Sequence, residues 1–128
     1  MKDILERILL KDLKENGILR LTLNDLDNKN ALSESMMQKL LEAISKGSKD
    51  NSVKVIVIAS TGNVFCSGHN LKEINEAKKA DDNGESYYLG LFKTCSSLMQ
   101  LIINCSKPVI AEVNGVATAA GCQLVASC

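Results

Sequence analysis

A chain of 128 residues has the length of one domain, and 45% hydrophobic with 23% charged residues is a composition that buries a core rather than one that stays disordered. Fifteen Lys plus Arg balance fifteen Asp plus Glu and aromatics reach 3%, so there is neither the field nor the stacking surface that nucleic acid calls for. No apolar run approaches the roughly 20 residues that cross a bilayer, and five cysteines beside one histidine fall into no zinc spacing, so no nucleic-acid, membrane or metal partner is expected.

In chain order, Met1–Arg7 carries acids in its first turn and lacks both the apolar core of a secretory signal and the acid-poor character of a presequence. That reading predicts a cytoplasmic protein, and the cysteines, odd in number and in no CxxC spacing, read as reduced thiols. Ile8–Leu13 and the alternating Ile18–Leu23 flank Lys14-Glu15-Asn16-Gly17, where Asn16 and Gly17 both tolerate positive φ, and predict a hairpin. Asn24–Asn30 is polar loop. Ser33 is placed as an N-cap with Glu34 in the first turn, and Met37, Leu40, Leu41 and Ile44 recur at helical spacing up to Gly47. Val53–Ala59 is β-branched and nearly all apolar, the pattern of a strand buried on both faces of a parallel sheet.

Thr61–Asn70 reads as a loop, Leu71–Ala80 as a short helix, Asp81–Ser86 as a solvated break, and Tyr87–Ile103 as a helix. Val109–Val113 is a further strand, closed by Asn114-Gly115. The alternation of strand and helix defines an α/β chain, whose ligands belong in the loops beyond the carboxyl ends of the strands. Two such loops stand out, Val64–Glu73 and Asn114–Leu124. Both are strand-to-helix turns of small residues, which let backbone approach a ligand and leave N–H groups free at a helix start. Two N–H groups aimed at one point bind a polarised carbonyl oxygen, although tight turns with no ligand have the same composition. Neither loop has a phosphate-cradling glycine pattern.

Phe65-Cys66-Ser67-Gly68-His69-Asn70-Leu71-Lys72-Glu73 and the run from Lys107-Pro108 through Cys122-Gln123-Leu124 resemble the two signature regions of the crotonase, or enoyl-CoA hydratase/isomerase, superfamily. Asn30-Ala31-Leu32-Ser33 resembles the element before that family's first helix, and Thr118–Cys128 is similar to one subgroup of it, which implies a bacterial-like relative of that subgroup. The resemblance implies a crotonase-like (ClpP/crotonase) α/β fold of repeated strand–helix units. It also implies that residues 1–128 are the N-terminal part of a single acyl-CoA-binding domain, truncated inside a helix, with its C-terminal half missing.

By the same resemblance, the backbone N–H groups of His69 and Ala120 form an oxyanion hole that stabilises an enolate of a coenzyme A thioester substrate, with the His69 imidazole turned away and no permanently bound cofactor. Lys29, Ala31, Cys66, Ser67, Gly68, His69, Asn70, Leu71 and Lys72 fall where the family contacts CoA, and the full-length protein is expected as a homotrimer or hexamer. Cys66 and Cys122 are expected to be buried small residues, and Glu112 to have a structural or partner-contact role. One position departs from the pattern. The first of two glutamates that activate water in family hydratases is Gln123 here, and an amide orients water but cannot take its proton. Lyase or isomerase chemistry in fatty acid metabolism is therefore one expectation, and a non-catalytic acyl-CoA-binding or regulatory member is the other.

Overall fold

Strands β1 (Leu9–Leu13) and β2 (Ile18–Leu23) open the computed structural model, which describes residues 7–128; the reading of Met1–Arg7 as a leaderless start falls almost wholly outside the described residues. The hairpin forms with Leu9 opposite Leu23 and Leu13 opposite Leu19. Its turn differs from the expectation: Gly17 alone takes positive φ, at 89°, while the Asn16 side chain accepts a 3.3 Å hydrogen bond from the Ile18 N–H. A four-residue loop needs one left-handed residue rather than two.

Helix α1 (Glu34–Lys49) follows, and the Ser33 hydroxyl caps it by accepting from the Met36 N–H at 3.1 Å. Its inward face is Met36, Met37, Leu40, Ala43, Ile44 and Gly47. A side chain at Gly47 would come within 2.7 Å of Leu19 Cδ2, so the glycine lets the helix lie close on the sheet. Strand β3 (Val55–Ser60) pairs parallel with β2, and β5 (Val109–Ala111) pairs parallel with β3, giving the order β1-β2-β3-β5. Ile56 and Ile58 are buried beside Leu21 and Leu23, whereas Val55 and Val57 on the opposite face are half-buried. Burial of β3 on both faces is thus corrected: among the described residues the helices cover one face, and the other carries exposed Ile110 and the Arg20–Glu112 ion pair at 2.6 Å.

Helix α2 (Leu71–Ala77) is shorter than expected, and α3 (Glu85–Ile103) starts two residues earlier. The Asp82 carboxylate accepts from the Gly84 and Ser86 N–H groups at 3.0 Å each, so the polar break is partly the cap of α3. Strand β5 ends at Ala111, although the Glu112 N–H still donates to Ile58 O at 2.8 Å. The sequence reading did not anticipate a second, two-stranded sheet, in which β4 (Val64–Cys66) pairs parallel with β6 (Val116–Ala117). It lies in the stretches read as loops and leads into α4 (Ala120–Ser127).

Candidate functional site

The two small-residue turns meet backbone to backbone. Gly68 has φ 93°, and a Cβ there would stand 3.0 Å from Ala119 Cβ and 3.2 Å from the Ala120 nitrogen. Gly121 makes the reciprocal contact, since a Cβ on it would stand 2.2 Å from the Cys66 carbonyl oxygen. The Thr118 N–H donates to that same oxygen at 3.1 Å. Two glycines and one ladder bond therefore clamp residues 66–69 against residues 118–121.

Within the clamp, backbone donors divide into used and unused. Gly121 N–H donates to Thr118 O at 2.8 Å and Cys122 N–H to Ala119 O at 3.0 Å. Neither the His69 N–H nor the Ala120 N–H has an acceptor among the described residues. Ala119 turns the chain with φ 52° and ψ −127°, a conformation that costs a non-glycine residue about 1–3 kcal/mol and that cluster at functional sites often shows. It leaves Ala120 as the first residue of α4, its N–H outside the intrahelical ladder.

Two cavities flank the clamp. Lys29, Ala31, Ser67, His69, Asn70, Leu71 and Lys72 line one of about 300 Å³, together with Asp27 and Asn28. His69, Ala120 and Gln123 line another of about 330 Å³, together with Phe92, Cys95 and Ser96 of α3. His69 belongs to both. The imidazole packs edge-on to Phe92 with ring centroids 5.9 Å apart, and Phe92 and Gln123 both line the second cavity. The aromatic partner offered by α3 draws the ring to that side.

The remaining expected contacts are placed as follows. Cys66 is buried and lines neither cavity; burial pushes its thiol pKa up, against a weaker opposing hydrogen bond from the Gly68 N–H. Cys122 is exposed rather than buried, because Ala120, Gly121 and Leu124 form the inward face of α4 and Cys122 falls opposite. All five cysteines are free thiols. Gly68 is buried and acts as a spacer. The Asn70 side chain caps α2 by accepting from the Lys72 and Glu73 N–H groups at 2.9 and 3.4 Å. Lys72 Nζ donates to Asn28 Oδ1 at 3.4 Å, and the Ser67 N–H donates to Lys29 O at 3.2 Å. Glu112 pairs with Arg20, whose hydrogen bond holds its carboxyl below the ordinary range.

Asn30 fixes the loop that carries Lys29 and Ala31. It is 1% exposed with φ 53°, its amide donates to Thr61 O and Val64 O at 2.9 Å each, and its Oδ1 accepts from the Asp25 N–H at 2.7 Å. Sequence reasoning missed Asp27, Asn28, Phe92, Cys95 and Ser96 as cavity walls. Phe92 lies in the stretch read only as a helix and is 61% exposed; it stands four residues before Ser96, one helical turn away on the same face. Among the described residues no three His, Cys, Asp or Glu side chains gather as a metal site, and no helix is long and apolar enough to cross a membrane.

The family model described as enoyl-CoA hydratase/isomerase matches residues 13–128. The chain is 50% identical over 115 residues to enoyl-CoA hydratase domain-containing protein 3, mitochondrial, of Xenopus laevis, covering 90% of this chain and 37% of that protein. It superposes on the crystal structure of an enoyl-CoA hydratase of Mycobacterium smegmatis with TM-score 0.85 and 46% identity, covering 94% of this chain and 45% of that one. For the human enoyl-CoA hydratase domain-containing protein 3 the values are 0.84 and 42%, with coverage of 95% and 46%. The chain thus spans a little over a third of its curated relatives' length and under half of the solved chains. The expectation of a bacterial-like cytoplasmic protein is corrected, because the relatives from Xenopus laevis, Mus musculus and Homo sapiens are all named mitochondrial. Residue types in the first turn carried the cytoplasmic part of that expectation, and they are a weaker guide to compartment than extended identity.

Proposed function

The chain belongs to the enoyl-CoA hydratase/isomerase family, and from that premise we propose that it binds acyl-CoA thioesters and polarises the thioester carbonyl with the N–H groups of His69 and Ala120. One observation carries this reading: two N–H groups with no acceptor among the described residues stand on turns that Gly68 holds in backbone contact. Donors fixed before the reaction stabilise a developing enolate oxygen without reorganising, which is where such sites gain most of their effect. The cavity with Lys29 and Lys72 suits the phosphates of CoA, and the one with Phe92, Cys95 and Ala120 suits the acyl group. CoA enters as part of the substrate, with no resident cofactor proposed.

The partial coverage of the relatives, and exposed Phe92, Ile110 and Val116, support a chain that is the N-terminal part of one domain, completed by further sequence and by copies in a trimer or hexamer. Calorimetry of the intact protein with butyryl-CoA and with its S-butyl thioether tests the hole, since the two ligands differ by the carbonyl. Tighter binding of the thioester is expected, and equal binding sinks the oxyanion reading. Gln123 favours a second reading, a member that binds acyl-CoA without hydrating it. An amide in place of a general base removes about 10²–10⁴-fold of rate. Slow crotonyl-CoA hydration that Gln123→Glu accelerates is the expected result, and fast hydration by the wild type excludes the second reading.

A further inference from the structure

Among the described residues, the imidazole of His69 is the one side chain with a buried, unsatisfied polar atom. Its Nδ1 is buried and has no hydrogen-bond partner among the described residues. Nε2 makes no hydrogen bond among the described residues and is the ring nitrogen left accessible, and His69 lines the cavity shared with Gln123. Of the two neutral tautomers, the one protonated at Nδ1 would bury an N–H without an acceptor, whereas the one protonated at Nε2 leaves only a lone pair unpaired. A histidine that serves as a general base has its Nδ1–H held by a carboxylate or carbonyl. Among the described residues nothing holds it. Phe92, 5.9 Å away and edge-on, fixes the ring by packing instead.

We propose that His69 acts on the acyl group as a hydrogen-bond donor through Nε2–H, and that with the free Gln123 carboxamide it makes this site selective for acyl thioesters bearing an oxygen acceptor close to the thioester. The inference rests on the acyl-CoA reading above and deepens it. Because the imidazole hangs from the same residue whose N–H is assigned to the thioester oxygen, it reaches the first carbons of the acyl chain and not its far end. The Gln123 side chain forms no hydrogen bond among the described residues and offers both a donor and an acceptor across the same cavity. A hydrocarbon acyl chain would leave both groups unpaired on desolvation, which is how a polar site rejects an apolar analogue.

Calorimetry on the intact protein with acetoacetyl-CoA and butyryl-CoA tests this, since the two differ by one oxygen at the third acyl carbon. The expected ratio of affinities is about ten-fold in favour of acetoacetyl-CoA, the effect of one hydrogen bond. In His69→Phe, which keeps the ring packing and the backbone N–H, the ratio should fall to within about two-fold; in His69→Gln, which restores a donor, it should recover in part. Nitrogen-15 spectra of the labelled histidine, assigned by its loss in His69→Gln, should show the proton on Nε2. Equal affinities in the wild type, a preference that survives His69→Phe, or a proton on Nδ1 overturns the inference while leaving the thioester reading standing. If neither thioester binds more tightly than free CoA, both readings are overturned.

Discussion

Gly121 and Gly90 are both helical glycines, and replacing each by alanine should move stability in opposite directions. At Gly121 the new Cβ lands 2.2 Å from the Cys66 carbonyl oxygen and 2.8 Å from its carbon. Both are backbone atoms of β4, so no rotamer change relieves the clash. An ordinary contact requires the start of α4 and the end of β4 to separate by about 1 Å in a region packed at interior density. That separation stretches the 3.1 Å bond from the Thr118 N–H to the same oxygen beyond hydrogen-bonding range. Overpacking costs about 1–3 kcal/mol and the lost bond about 1 kcal/mol more, so Gly121→Ala should destabilise by roughly 2–4 kcal/mol. Gly90 sits exposed in α3 with no atom within 4 Å of a built Cβ, so Gly90→Ala should stabilise by about 0.5–1 kcal/mol through helix propensity. Urea unfolding of the two variants and the wild type measures both. A Gly121→Ala protein within 1 kcal/mol of wild type would show that the two turns are not clamped as described.

Ala119→Gly should raise Tm, the relief at φ 52° and ψ −127° exceeding the entropy glycine adds to the unfolded chain by about 1 kcal/mol; a lowered Tm contradicts the strain. Asn30→Ala removes three hydrogen bonds of 2.7–2.9 Å at a buried left-handed residue and should cost about 3 kcal/mol, read by denaturant midpoint, with CoA affinity falling as the Lys29 loop loosens. The Arg20 hydrogen bond holds the folded Glu112 carboxyl below its ordinary 4.5. Its contribution is therefore full above about pH 4.5 and is lost as pH falls through the depressed value. Melting curves of Glu112→Gln should show a shallower acid limb than wild type, and superimposable limbs dismiss the pair.

Much of the scaffold was legible because it rests on local rules. Ser33 before Met36 and Met37, the alternation of Leu19, Leu21 and Leu23, and the apolar run around Ile56 each state their element through capping or periodicity. The two signature turns were legible as small-residue stretches and as a family resemblance, and that resemblance singled out Lys29, Lys72, His69, Ala120 and Gln123, which line the two cavities. The pairing of β4 with β6 was not legible. Strands of three and two residues carry no period, and they exist because the chain brings Cys66 and Ala117 together from 51 positions apart.

The same holds for the contents of the site. Composition and motif determined that the chain is α/β, has a core, and presents two glycine-bearing turns. Only tertiary structure decided that Gly68 and Gly121 fit against the opposite backbone, and that Phe92 and Cys95 wall a cavity instead of simply filling the core. It also decided that the His69 ring packs against Phe92. Side-chain direction at such a turn depends on which surfaces long-range packing brings within a few ångströms, and a linear sequence specifies that only through the whole fold.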